Sequence, residues 1–233
     1  MSGLKDVIGS ADLAALLGFV AAWLAFELAV DHTPLKHRSL SGLMARRRAA
    51  WMLVMAERDM RMVDTAVLSG LQQGAAYFGT VAMLAIGGCF AAMGATEQAL
   101  RLFQDLPLVG GVSRTLFELK LVGLTLIYVY AFFKFGWSYR LFNYCSILVG
   151  SVPQPSDADA ETRRRQAMQA GEMNILAGRH FTAGQRGLFM ALAYLGWFAG
   201  PGALIGSTLF VIAVLVRRQF FSNARRAIAG DPD

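Results

Sequence analysis

Apolar residues in this chain are collected into long runs and do not recur at the spacing of a half-buried helix or strand. Four runs are long enough to cross a bilayer, since about 20 mostly apolar residues span its hydrocarbon core. The pattern therefore predicts an all-α integral membrane protein: a single helical membrane domain, 1–233, with about four transmembrane helices plus cytoplasmic amphipathic helices. The predicted spans cover residues 13–30, 66–95, 116–134 and 187–216.

Two of the runs are irregular. The third stays largely apolar to Gly150, and a straight helix over 116–150 would be about 50 Å long, well beyond a hydrocarbon core of about 30 Å. We expect that helix to leave the membrane, or to bend along its surface, near 136–139. The fourth run contains Gly200-Pro201-Gly202, where a helix is expected to kink or break.

The composition agrees with a lipid environment, and the positions of the arginines explain the positive net charge. Hydrophobic residues make up 55% of the chain and charged residues 16%, and the mean hydropathy is +0.45. The net charge of +6 comes from arginines grouped at the ends of the apolar runs. This placement is typical of membrane anchoring, so we expect membrane lipids and not nucleic acid as partners.

The distribution of Lys and Arg predicts the orientation. Connectors 31–65 and 151–186 are strongly basic and are therefore expected in the cytoplasm, below a bacterial inner membrane. Connector 96–115, with Arg101 and Arg114, is expected outside, as are both termini. Four arginines after the last span oppose this assignment: Arg217, Arg218, Arg225 and Arg226.

The first basic connector predicts an amphipathic helix on the membrane surface. Its apolar residues fall on one helical face, and Arg46, Arg47 and Arg48 lie beside that face. Each cation near an anionic leaflet contributes roughly 1 kcal/mol of attraction. These arginines are the candidate lipid-facing basic patch, with anionic head groups at the cytoplasmic face as the expected partner.

Ionisable residues within or beside spans are candidates for function, because a charge in lipid needs a partner or water. Glu27 lies one turn before the cytoplasmic end of the first span, and we expect it to pair with Lys134 or Arg140. Glu118 and Lys120 are expected to mark the outer water boundary of the third span.

Recognised catalytic and cofactor motifs are missing from the sequence, and neither the histidines nor the cysteines have the spacing of a metal site. We therefore expect no cofactor, no metal and no enzymatic activity. A lipid-modifying enzyme would need a cluster at the membrane interface, formed by His32, His37, His180 and Glu172.

Three stretches resemble an uncharacterised membrane family of bacteria and plants, domain of unknown function 599. They are AERDMRMVDTAVLSGLQQGAAYFGTVAMLAIGG, KLVGLTLIYVYAFFKFGWSYRLFNYCSILVGSVP and NILAGRHFTAGQRGLFMALAYLGWF, which together cover most of 56–198. FKFGWSYRLFNY is the most distinctive element, and Thr182 stands where the family often has Asn. The resemblance implies a small multi-span membrane protein and brings no activity or catalytic residue.

Several residues, most of them within these stretches, are more polar or aromatic than membrane spanning requires. The candidate functional polar cluster is Glu27, Arg58, Asp64, Lys134, Trp137, Arg140, Asn143, Tyr144, Asn174 and Arg186.

Two functions fit these features. The first is a non-enzymatic membrane component that packs against itself, binds lipid or serves as an accessory of a larger membrane complex. Its support is the abundance of small residues suited to helix packing. The alternative is a small oligomeric channel or transporter for an ion or small solute. That function would use Glu27, Lys134 and Arg140, or the broken fourth helix near Pro201.

Overall fold

The computed structural model describes residues 8–98 and 113–230, and these residues form helices without any strand. The helices are α1 (Ser10–His32), α2 (Leu40–Ala56), α3 (Met62–Gly94), α4 (Arg114–Ser151), α5 (Ala160–Ala199), α6 (Pro201–Phe220) and α7 (Asn223–Ala229), with a short 3-10 helix at Pro34–His37. Arg101 and residues 99–112 of the predicted outer connector lie outside the described residues. The all-α prediction is confirmed.

Four stretches are helical, long and apolar enough to cross a membrane, as predicted. They are Ser10–His32, Met62–Gly94, Arg114–Ser151 and Pro201–Ala229. Near residues 136–139 the third helix was expected either to leave the membrane or to bend along its surface. α4 continues through this region without interruption, over 38 residues in all. Its length of about 57 Å exceeds the hydrocarbon core, so part of α4 must lie outside the lipid if it crosses at a moderate tilt.

Side-chain caps explain where several helices begin. Ser39 Oγ accepts the Gly42 amide at 3.1 Å and starts α2, and Asp159 Oδ1 accepts the Thr162 amide at 2.8 Å before α5. Such caps satisfy backbone donors that have no partner within the helix. α5 then runs for 40 residues, because no proline interrupts it before Pro201. The predicted connector 151–186 is therefore largely continuous with the apolar residues that follow it.

The predicted single span over 187–216 is replaced by two helices joined at Gly200, whose φ is +131°. Ser207 Oγ donates to the Ala193 carbonyl at 2.6 Å, and the Arg218 guanidinium lies 5.1 Å from the centre of the Phe189 ring. Residues 189 and 218 would be about 43 Å apart on one straight helix. The helix therefore breaks at Gly200, one of the two expectations, and the chain reverses there to form an antiparallel hairpin.

The contacts group the chain into two compact units, which are described separately. Unit 1 comprises the described residues of Met1–Lys36, Val81–Ala131 and Arg186–Arg218, and unit 2 those of His37–Thr80, Phe132–Gln185 and Gln219–Asp233. In unit 1 the Phe19 ring packs edge-on against Tyr194, and Trp23 against Tyr130. The core of unit 2 is built around buried residues of α2, α3, α4 and α5, including Met52, Leu68, Cys145 and Ala167.

The C-terminal helix belongs to unit 2, where α7 packs on α2. Arg47 donates to the Ile228 carbonyl at 3.2 Å, and Arg225 Nε donates to the Arg38 carbonyl at 2.9 Å. Helix α7 thus lies beside the first basic connector. The expectation that both termini are outside stays a prediction.

Candidate functional site

An apolar cavity of about 620 Å³ lies within unit 1, between α1, α4 and α5. Aromatic side chains form much of its wall, among them Phe19, Trp23, Tyr130, Tyr194 and Trp197. The volume is in the range of small-molecule sites in proteins, which are mostly apolar with a few polar groups.

Three aliphatic residues of the lining are also part of the protein surface. Leu24, Val122 and Leu126 line the cavity and are exposed. Leu24 lies on the candidate span α1, and the other two on the candidate span α4. These lining residues therefore face lipid wherever these helices cross the membrane.

An ion-pair cluster around the buried Arg186 includes Glu27, one of the residues that line the cavity. Arg186 Nη1 and Nη2 donate to the two carboxylate oxygens of Asp31 at 2.8 and 3.0 Å, and Nη1 lies 3.3 Å from Glu27 Oε2. The Trp23 indole N–H also donates to Glu27, at 3.4 Å. Glu27, which lines the cavity, is therefore engaged on two sides, and its partner is Arg186 instead of the expected Lys134 or Arg140.

At Trp197, another part of the lining, a second group of polar contacts is found. The Trp197 indole N–H donates to Asp12 Oδ1 at 2.6 Å, and Lys120 Nζ donates to the Trp197 carbonyl at 2.7 Å. Lys120 is 2% exposed, so its expected place at the outer water boundary is corrected. The last carbonyls of a helix lack intrahelical donors, and the end of α5 provides such a carbonyl for this cation.

In unit 2, two of the candidate residues form an ion pair at the start of α3. Arg58 Nη1 and the Trp51 indole N–H both donate to Asp64 Oδ1, at 2.9 and 2.6 Å. Asp64 is fully buried, and its Oδ2 has no hydrogen-bond partner among the described residues. The first turn of a helix favours a negative charge, so the position suits a carboxylate.

The three arginines of the predicted basic patch extend to three different acceptors. Arg46 donates to the His37 carbonyl, Arg47 to the Ile228 carbonyl and Arg48 to Asn174 Oδ1. Arg46 and Arg47 are exposed and Arg48 is half-buried. Successive residues on a helix point about 100° apart, which separates these side chains.

Asn174 is the most enclosed of the candidate residues on α5, with no exposed surface. Besides accepting from Arg48, it lies with Nδ2 3.5 Å from the Cys145 Sγ. Cys145 in turn donates to the Ala170 carbonyl at 3.4 Å. These contacts join α2, α4 and α5 within unit 2.

The distinctive segment of α4 presents an exposed aromatic and cationic face. Arg140 Nε donates to the Tyr144 hydroxyl at 2.6 Å, and its guanidinium lies 5.5 Å from the centre of that ring. Trp137 packs edge-on against His180. Burial, followed by the nearby charge of Lys134, lowers the pKa of His180. Asn143 lies half-buried on the same helix.

The candidate residues thus come together in pairs and not as one cluster. Glu27 meets Arg186, Arg58 meets Asp64, and Arg140 meets Tyr144. Sequence reasoning missed Asp31, although Asp31 lies four residues after Glu27 and therefore on the same helical face. Within the parts of the chain that the structure covers, no group of three or more His, Cys, Asp or Glu residues converges on a possible metal position.

The fold is all-helical, and four helices long and apolar enough to span a membrane fit the class of helical membrane proteins. The family described as "Protein of unknown function, DUF599" matches residues 14–224, and the chain belongs to that family. The resemblance seen in the sequence is therefore confirmed. Neither the search of curated proteins nor that of solved structures found a match.

Proposed function

We propose that this protein is a non-enzymatic membrane component that holds one apolar chain of a membrane lipid in the cavity of unit 1. The observation that carries the proposal is the cavity itself, about 620 Å³ in volume and lined mainly by aliphatic and aromatic side chains. Each buried CH₂ of a bound chain contributes about 0.8 kcal/mol, so even partial insertion gives appreciable affinity.

The chemistry of the lining favours an apolar ligand. The carboxylate of Glu27, which lines the cavity, is already engaged by Arg186 at 3.3 Å. The exposed residues Leu24, Val122 and Leu126 lie at the side of the cavity on helices suited to cross the bilayer. A lipid tail in the membrane would reach these residues without passing through water.

We place the protein in the bacterial inner membrane, with the basic connectors in the cytoplasm. The antiparallel hairpin supports this orientation, because it returns Arg218 to the level of Phe189. With the apolar end of α5 as a fifth crossing beside the four long spans, the C-terminal arginines lie on the same side as the first connector, as the positive-inside rule requires. Anionic head groups are the proposed partners of the exposed Arg46 and Arg47 on that side.

Filling the cavity provides the test. Leu126→Trp places an indole at the wall of the cavity, whereas Leu209→Trp is the matched control, since both leucines are 63% exposed and only Leu126 lines the cavity. Overpacking costs about 1–3 kcal/mol, which corresponds to roughly 5- to 150-fold weaker binding.

Native mass spectrometry of protein extracted from membranes in maltoside detergent measures the bound lipid. We expect wild type and Leu209→Trp to retain lipid, and Leu126→Trp to lose most of it while remaining folded. Equal lipid occupancy in all three proteins would contradict the proposal, as would wild-type protein without any retained lipid.

A further inference from the structure

One arginine in unit 2 is partly buried among neutral groups. Arg48 extends from α2 towards α4 and α5, where its Nη1 donates to Asn174 Oδ1. Its guanidinium also lies 5.7 Å from the centre of the Phe142 ring. An amide oxygen and an aromatic face both stabilise a cation, but neither carries a compensating negative charge.

Other arginines of this unit that are removed from water have an anionic or multiple carbonyl partner. Arg163 has Glu57, while Arg61 donates to the carbonyls of Val149, Val152 and Pro153. Within residues 8–98 and 113–230, Arg48 has no carboxylate at ion-pair distance.

Burial without an acid leaves a desolvated positive charge. Burial lowers the pKa of Arg48, and the nearby Cys145 offsets this only in part. Taking a cation out of water is costly unless an anion and further hydrogen bonds compensate it. The positive charge of Arg48 therefore lacks a compensating negative charge among the described residues.

The free edge of the guanidinium has the geometry of an anion-binding fork. With Nη1 committed to Asn174, Nε and Nη2 form the side-on pair of donors that binds two oxygens at once. A Cβ added at Gly178 would lie 3.1 Å from both Cζ and Nε and 3.4 Å from Nη2, so this glycine lets α5 pass over the face of the guanidinium and not across its Nε and Nη2 edge. Some buried polar atoms of the described residues are fully enclosed and lack a hydrogen-bond partner, but Nε and Nη2 of Arg48 do not belong to that group.

We propose that Arg48 binds a phosphate group through Nε and Nη2, with Asn174 holding the guanidinium in place. The phosphate belongs either to a lipid head group or to a soluble phosphate, since both offer the same pair of oxygens. This site lies in unit 2 and does not depend on the lipid-chain cavity proposed for unit 1. Each proposal can therefore fail without the other.

The test is the thermal unfolding of the purified full-length chain in phosphate-free maltoside detergent. One arm adds inorganic phosphate and a second adds phosphatidic acid, each at matched ionic strength. The negative control of the second arm is diacylglycerol, which lacks the phosphate. We expect the unfolding temperature of wild type to rise with ligand concentration, as binding to the native state requires.

The decisive variant is Arg48→Met, matched by Arg164→Met at an exposed arginine of α5. Arg48→Met is expected to abolish the response, and Arg164→Met to retain it. Gly178→Ala keeps the charge but presses a Cβ against the face of the guanidinium, and is expected to weaken the apparent affinity at least about tenfold. This variant serves as the test if Arg48→Met does not fold.

The two arms distinguish the source of the phosphate. A response to inorganic phosphate identifies a soluble ligand, and a response to phosphatidic acid alone identifies a lipid head group. The proposal is overturned if wild type responds to neither, or if Arg164→Met loses as much of the response as Arg48→Met.

Discussion

At the scale of single residues, the arginines show how environment decides the role of one side chain. Arg186 is held by two carboxylates within unit 1, whereas Arg61 closes the end of α4 by donating to backbone carbonyls. Arg114 lies on the surface with Glu97 and Glu118. The buried arginines with acidic partners should contribute most to stability, because a broken buried pair leaves an uncompensated charge.

Arg186→Met is expected to destabilise the protein strongly. The Arg186 side chain is 6% exposed, and its removal leaves Glu27 and Asp31 close together without a cation. Breaking a fully buried pair costs about 3–5 kcal/mol, and the loss here is expected at or below the lower end, because Glu27 is 22% and Asp31 36% exposed. The midpoint of thermal unfolding in detergent, at a fixed heating rate, should fall by many degrees.

Arg114→Met serves as the control, because its side chain is 62% exposed and exposed ion pairs contribute little. Its unfolding midpoint should stay close to that of wild type. If both variants lose the same stability, the ion pairs of Arg186 contribute no more to stability than the exposed ion pairs of Arg114.

The sequence indicated which charged residues form ion pairs, but not which residue pairs with which. Glu27, Arg58, Asp64 and Arg186 stand out because they are charged within or beside apolar runs. The partner of Arg186, however, is 155 residues away in Asp31. Local spacing carries no information about which of several distant charges meets which, since helix packing decides it.

At the scale of elements, the hairpin between α5 and α6 differs most from the sequence-based expectation. Helix-breaking chemistry at Gly200 and Pro201 was evident, but a kink and a full reversal have the same local signature. Gly200, with its φ of +131°, permits the reversal, and close contact between the two arms maintains it. The tight approach at Gly196 provides a direct test of that packing.

Gly196→Ala is expected to destabilise the hairpin. A Cβ at this position would lie 2.7 Å from the Ala203 carbonyl oxygen and would also overlap Ser207 Oγ. Because a backbone atom cannot move aside like a side chain, overpacking of about 1–3 kcal/mol is expected. The unfolding midpoint should therefore fall.

Gly206→Ala is the matched control on the other arm, where nothing lies within 4 Å of the added Cβ. Alanine is the better helix former, so this change should be neutral or slightly stabilising. A lowered midpoint for Gly206→Ala but not for Gly196→Ala would contradict the packing described here.

At the scale of the whole molecule, the fold class and the number of long apolar helices follow from composition and run length alone. Orientation stays a prediction, because a single misjudged crossing inverts the predicted side of everything after it. The contact between α7 and α2 assigns Arg225 and Arg226 to the same unit as most of the first basic connector. The proposed cytoplasmic side for both agrees with the positive-inside rule.

Accessibility of single cysteines tests this orientation. In a background where Cys89 and Cys145 are replaced by Ala, Ser113→Cys, Ala224→Cys and Met44→Cys each add an exposed position. In spheroplasts, a membrane-impermeant maleimide is expected to label Ser113→Cys and to spare the other two until the membrane is lysed. Labelling of Ala224→Cys in intact spheroplasts, with Met44→Cys protected, would contradict a shared cytoplasmic side.

The long separation of Arg186 from its acidic partners also has a consequence for biogenesis. At a synthesis rate of about 5–20 residues per second, the 155 residues between Asp31 and Arg186 take roughly 8–30 s to make. Throughout this interval the first helix has two carboxylates at one end and no cation to receive them. That end must stay at the hydrated surface of the bilayer until the last third of the chain arrives, because an unpaired charge does not remain in lipid. Assembly around α1 therefore finishes late, and a nascent chain stopped before Arg186 should present an unfinished helix to membrane quality control.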